Sequence, residues 1–114
     1  RAFDGATSTA IREHWVPLLE ADPPGLVFEH HDHTYKRTRR LRAGREASDG
    51  VLYVGDGNWG RGARPVHADR PYLAETASAF NVLRITLHPD GRGEVLVVDE
   101  NGRELDAFDF ARNS

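Results

Sequence analysis

The sequence predicts an α+β fold, an N-terminal helix followed by mainly antiparallel strands, and three observations predict it. Apolar residues Ile11, Trp15, Leu18 and Leu19 recur at helical spacing. Short apolar runs at 26–28 and 51–54 sit between glycine- and proline-rich stretches, as strands do. The last third alternates with a period of two and carries two turn signals, Pro89-Asp90-Gly91 and Asn101-Gly102. At 114 residues the chain has room for one domain, 1–114, with a modest core.

The helix is expected over 8 to about 20, with Thr7 or Ser8 able to cap its start. Pro17 costs about 3 kcal/mol inside a regular helix. A kink, or a second helical segment with Pro17 in its first turn, resolves the conflict. Trp15 falls on the apolar stripe and is expected in the core, while His14 is expected at the surface. Asp22-Pro23-Pro24-Gly25 then ends the helix and turns the chain into a strand at 26–29. That strand is short and unalternating, the pattern of one buried on both faces.

Residues 36–45 hold Lys36, Arg37, Arg39, Arg40, Arg42 and Arg45. They suit either a solvated strand or hairpin, or a cationic strip for phosphate. A loop at 43–50 leads to a strand at 51–54 and a glycine-rich loop at 55–62. That loop lacks the lysine and the helix start of a P-loop. His67 lies in a polar loop, and 72–80 suits a short helix opened by Pro71. Strand 82–88 puts Leu83, Ile85 and Leu87 on one face and Arg84, Thr86 and His88 on the other. With strands at 95–98 and 105–110 it forms an antiparallel meander, and the lone His88 at a strand end is expected to be structural.

Composition narrows the class. Charged residues make up 29% and hydrophobic ones 39%, values of a folded globular chain. No apolar run approaches the roughly 20 residues of a membrane helix, so no membrane partner is expected. The net charge of −3 makes nucleic acid an unlikely partner overall. Without cysteine there is neither a disulfide nor a thiolate metal site, and the compartment stays open. The chain opens on Arg1 and contains no methionine, so a start further upstream in a longer reading frame is expected.

Chemistry concentrates at Glu29-His30-His31-Asp32-His33-Thr34-Tyr35-Lys36-Arg37-Thr38, where three of six histidines fall within four positions. In an extended chain, i and i+2 point the same way with α-carbons roughly 6–7 Å apart. His31 and His33 would then present two imidazoles from one edge. Two ions of a hydrolytic metal pair lie about 3.5–4 Å apart, so one histidine for each is feasible geometry. Taken alone, His-x-His suits a solvated loop equally well.

This stretch resembles the last metal motif of calcineurin-like metallophosphoesterases, especially their purple-acid-phosphatase-like branch, with its Gly-His-x-His followed by an aromatic and an arginine. Ile11-Arg-Glu-His-Trp-Val-Pro-Leu-Leu-Glu20 resembles the preceding helix, and Val51-Leu-Tyr-Val-Gly-Asp-Gly-Asn-Trp-Gly60 the following strand and loop. The resemblance implies metal ligation by His31 and His33, one for each of two divalent or trivalent ions (Fe, Zn or Mn), and hydrolysis of phosphate-ester substrates. It also implies an α/β/β/α sandwich. The family's Asp-x-His, Gly-Asp-x-x-Asp and Gly-Asn-His-Asp/Glu motifs are absent, and His30 replaces its glycine. The chain is therefore expected to be the C-terminal portion of a catalytic domain, inactive by itself, with the missing N-terminal half as its partner. No catalytic residue is expected in it, and Asp56 is a remote candidate for orienting a metal histidine. The competing expectation is a small stand-alone module binding an anionic partner through 36–45.

Overall fold

In the computed structural model, which describes residues 5–22, 24–30, 34–56 and 70–111, the chain begins with a helix in three segments. α1 (Ala6–Ala10) runs into a π-helical stretch, Ile11–Trp15, and then into α2 (Val16–Ala21). Pro17 accounts for the segmentation: its ring collides with the carbonyl four residues back and it has no N–H to donate. The wider π turn just upstream relieves that collision, and Pro17 falls in the first turn of α2, where its fixed φ is tolerated. The helix starts earlier than expected. Gly5 is the N-cap and makes no side-chain capping bond, so neither Thr7 nor Ser8 is used.

Among the described residues nine strands follow: β1 (Val27–Glu29), β2 (Tyr35–Thr38), β3 (Leu41–Arg42), β4 (Arg45–Glu46), β5 (Tyr53–Asp56), β6 (Leu73–Ala77), β7 (Asn81–Leu87), β8 (Arg92–Asp99) and β9 (Glu104–Ala111). The first sheet has the order β1-β5-β2-β6. β1 runs parallel to β5, and the other two pairings are antiparallel. Among the described residues β1 is thus an edge strand, and it is only half-buried, not sealed on both faces as its composition suggested.

Residues 73–77 are strand, where a short helix was expected. Pro71 opens a turn closed by the Leu73 N–H on the Arg70 carbonyl at 3.1 Å, and the chain then pairs with β2. The ladder offered by β2 outweighs the mild helical preference of Leu-Ala-Glu-Thr-Ala. β3 and β4 form a small hairpin whose two turn residues, Ala43 and Gly44, both have positive φ, as a two-residue hairpin turn demands.

The second sheet is the expected meander, β7-β8-β9, all antiparallel. Both of its turns are three-residue loops closed by paired ends, His88 with Arg92 and Asp99 with Arg103. Gly91 and Gly102 take the left-handed position at φ 89° and 79°, which costs glycine nothing. Tyr35, Leu52 and Val54 from the first sheet pack with Val95 and Val97 from the second, and Phe28, Leu83, Phe108 and Phe110 close around them. The core therefore lies between the two sheets. Two expectations about burial fail. Trp15 is 65% exposed, and on β7 Leu87 is 72% and Ile85 40% exposed although Leu83 packs inward. Periodicity marks a face able to be buried; burial also requires a layer that covers it fully, and these side chains stay partly open to water. No described helix is long and apolar enough to cross a membrane.

Candidate functional site

The His-rich stretch is the connection between β1 and β2. β1 ends at Glu29 and β2 opens at Tyr35, which lies opposite Asp56, the last residue of β5. The connection thus leaves from the C-terminal end of the parallel β1–β5 pair, the end at which open α/β sheets place ligands. His31 and His33 lie outside the described residues, as do His67 and most of the glycine-rich loop; of Asp56 only the backbone is described. His30 is exposed, its ring stacked on Phe28 with centroids 6.2 Å apart and planes 8° off parallel.

The chain on the far side of the histidines is firmly held. Thr34 is buried and its hydroxyl donates to the Ala77 carbonyl at 2.9 Å. Tyr35 is completely buried, and its hydroxyl donates to Asp106 Oδ2 at 2.6 Å, across to the second sheet. Arg37, on the same face of β2, donates from Nε to Asp106 Oδ2 at 2.7 Å and from Nη2 to Oδ1 at 3.3 Å. The Ala107 N–H completes the carboxylate at 2.9 Å, and the guanidinium lies 4.9 Å from the centre of the Phe108 ring. Burial pushes the Asp106 carboxyl up, but the hydrogen bonds from Arg37 and Tyr35 and the Arg37 charge outweigh it, leaving the group below its ordinary range. Burial, reinforced by the adjacent Asp106 carboxylate, pushes the Tyr35 phenol up. At neutral pH the cluster is therefore one carboxylate, one guanidinium and one neutral phenol.

Sequence reasoning did not single out Asp106. It is 69 residues from Arg37, but its signal is visible in retrospect: with Phe108 and Phe110 it keeps the inward phase of β9. An acid in step with core aromatics calls for a buried cation or donor.

On the opposite face of the first sheet, Glu29, Gly55 and Lys36 are cross-strand neighbours. Lys36 Nζ lies 3.6 Å from Glu29 Oε1, above Gly55. A Cβ on Gly55 would collide with the Glu29 carboxylate and sit 3.0 Å from Lys36 Cε, so a larger residue there would push these flexible side-chain ends aside.

Most of the basic strip is used inside the fold. Besides Lys36 and Arg37, Arg39 donates to the Pro71 carbonyl and Arg40 to the Gly50 carbonyl, each at 3.3 Å. Arg42 reaches the Asp49 carboxylate at 3.2 Å and the Glu20 carbonyl at 3.3 Å. Glu20 Oε1 in turn accepts the Ala43 N–H at 2.8 Å, fastening the end of α2 to the β3–β4 hairpin. Likewise His88 stands beside Glu94 at the end of β7, 3.6 Å away, in keeping with a structural place.

Among the described residues no group of three or more His, Asp or Glu side chains is placed to hold a metal ion. The described part of the chain therefore does not fit a two-metal centre by itself. No family model matches the chain, and no curated protein matches it. Its fold is similar to that of a purple acid phosphatase isolated from seeds of yellow lupin (Lupinus luteus), with a TM-score of 0.72 and 15% sequence identity over 90% of this chain. The chain spans 19% of the length of that phosphatase, and the likeness is one of fold.

Proposed function

We propose that the chain is the C-terminal portion of a dinuclear metal-dependent phosphoesterase and supplies its last two histidine ligands. The carrying observation is the fold likeness to a purple acid phosphatase over 90% of the chain, in a chain whose His31-x-His33 motif joins β1 to β2. His31 and His33 each contribute a neutral imidazole nitrogen, one per ion. The remaining ligands, every bridging carboxylate and the catalytic acid come from an N-terminal half, which also completes an α/β/β/α sandwich. When bound, the two ions polarise the phosphoryl oxygens of a phosphate ester and lower the pKa of a water. In this chain the contribution is positional: Thr34 and Tyr35 anchor the exit from the motif to β6 and to the second sheet.

Two measurements test the assignment. Calorimetry of the 114-residue chain with zinc or cobalt is expected to show at most one weak site, abolished in His31→Ala/His33→Ala; two tight sites would overturn it. The product of the longer reading frame is expected to hold two metal equivalents and to hydrolyse p-nitrophenyl phosphate. In that protein either histidine substitution should remove about one metal equivalent and most of the turnover. A metal-free, inactive product refutes the assignment.

A further inference from the structure

β2 is paired on both sides, and both of its ladders begin at one rung: Tyr35 lies opposite Asp56 on β5 and Ala77 on β6. A terminal rung is where a ladder frays most easily, and here it is also where the chain leaves the His31-x-His33 motif. Two peptide units separate Tyr35 from His33, a reach of roughly 7 Å at most. The position of Tyr35 therefore bounds the position of His33.

Ladder hydrogen bonds lie in the plane of the sheet and hold the strands in register. They do little against tilt out of that plane. The bond from the Tyr35 hydroxyl to Asp106 Oδ2, at 2.6 Å, runs across to the second sheet and supplies this restraint. Arg37 reaches the same oxygen at 2.7 Å, so one carboxylate holds β2 at two points. Register shifts frame the cluster on both sides. One lies on β2 between Arg37 and Thr38, the other on β8 between Val97, the partner of Asp106, and Val98. Irregularities of this kind re-aim side chains and are common beside functional sites. Apolar residues of similar volume often hold a core together as well as a buried ion pair does; what the carboxylate adds is fixed direction.

We propose that Asp106 is a positioning residue for the His31-x-His33 motif. Acting through Tyr35, 71 residues away in sequence, it fixes from the second sheet the height at which the chain leaves the motif. The inference rests on the assignment of that motif to metal binding and adds to it a residue on the last strand.

Zinc titration of the longer reading-frame product tests it. Gly50→Ala serves as the control for lost stability, since it disturbs the Leu41–Val51 bridge instead. Asp106→Ala is expected to weaken zinc binding by about 10-fold, the lower end for groups that act through a ligand. Asp106→Asn keeps an acceptor for the Tyr35 hydroxyl and should recover most of that loss. Tyr35→Phe cuts the same link, leaves Arg37 paired and should reproduce the loss, so it decides the matter if Asp106→Ala does not fold. Gly50→Ala should bind zinc as the wild type does.

Amide exchange in the 114-residue chain gives a metal-free reading. Measured against Val95, the Tyr35 amide should exchange about 10-fold faster in Asp106→Ala than in Gly50→Ala. Unchanged zinc affinity in Tyr35→Phe overturns the proposal, as does an equal loss in Gly50→Ala, or Tyr35 exchange that follows Val95 in every variant. A wild type that binds no zinc refutes the metal assignment instead, and selective Tyr35 exchange then leaves Asp106 as the group that positions the β1–β2 connection.

Discussion

Replacing Asp106 by alanine removes a carboxylate that joins the two sheets. In the native fold it accepts from Tyr35 at 2.6 Å, from Arg37 at 2.7 and 3.3 Å, and from its neighbour's N–H at 2.9 Å. The side chains of Asp106 and Arg37 are 7% and 19% exposed, so the pair is largely withdrawn from water. Removing one member of such a pair typically costs about 3–5 kcal/mol, because the other charge stays behind without its partner. The slight exposure of Arg37 and its contact with Phe108 soften this, so about 3 kcal/mol is expected. In a domain of this size that lowers the melting temperature by on the order of 10–20 °C. Urea denaturation followed by circular dichroism measures it, with Tyr35→Phe and the double variant completing a cycle. Tyr35→Phe loses only a hydrogen bond to a charged group, about 1.5–3 kcal/mol. The double variant should cost clearly less than the sum of the singles. An Asp106→Ala cost below about 1 kcal/mol, or strict additivity, would show that the cluster is an ordinary surface contact.

The other predictions concern the backbone and pH. A Cβ on Gly50 would lie 2.6 Å from the backbone of Leu41, which is pinned by reciprocal hydrogen bonds with Val51; Gly50→Ala is therefore expected to cost about 2 kcal/mol or more in urea unfolding. Gly102→Ala meets open space but keeps φ near 79°, so a smaller loss of about 1 kcal/mol is expected by the same measurement. On the alkaline side, Tyr35 ionises far less readily folded than unfolded. Its contribution is intact below the unfolded value of about 10 and is lost as pH rises beyond it, so stability should fall above that pH in the wild type and not through this group in Tyr35→Phe.

Local grammar made the helix, the meander and the glycine turns legible, because each is set by residues close in sequence. Pro17 signalled a break, and the π turn before it is the form the break takes. What the sequence could not show depends on distant partners. Residues 73–77 become strand because β2 offers a ladder 35 or more positions earlier in the chain. Trp15 carries the period of a core residue, yet it remains 65% exposed. The arginines of 36–45 look like a strip made for an anion until Asp106, Asp49 and the carbonyls of Glu20, Gly50 and Pro71 are found beside them. The His31-x-His33 motif was the plainest signal in the chain, and both histidines lie outside the described residues.

The role of Arg37 separates two ways in which the cluster could stabilise the fold. If it acts merely as a bulky amphipathic stem over Phe108, Arg37→Met should be well tolerated at every pH. If it is there to keep Asp106 ionised, the variant should show a changed response to acid. Burial is the largest single influence on the Asp106 carboxyl and acts to raise it; Arg37 is the foremost group opposing it. In the wild type the folded value lies below the unfolded one of about 3.9, so this carboxylate stabilises above that pH and its contribution is lost as pH falls through the folded value. Without Arg37 the opposing hydrogen bonds from Tyr35 and Ala107 face burial alone, and a folded value lifted above the unfolded one makes the protonated state the favoured one. Stability of Arg37→Met relative to wild type should therefore recover as pH is lowered from about 6 toward 4. Arg37→Lys keeps the charge but cannot span both carboxylate oxygens, so it should lose about 1–2 kcal/mol and retain the wild-type acid slope. Parallel acid profiles for wild type and Arg37→Met would mean that the guanidinium does not govern the ionisation of Asp106, and the two sheets would then owe their registry to apolar packing.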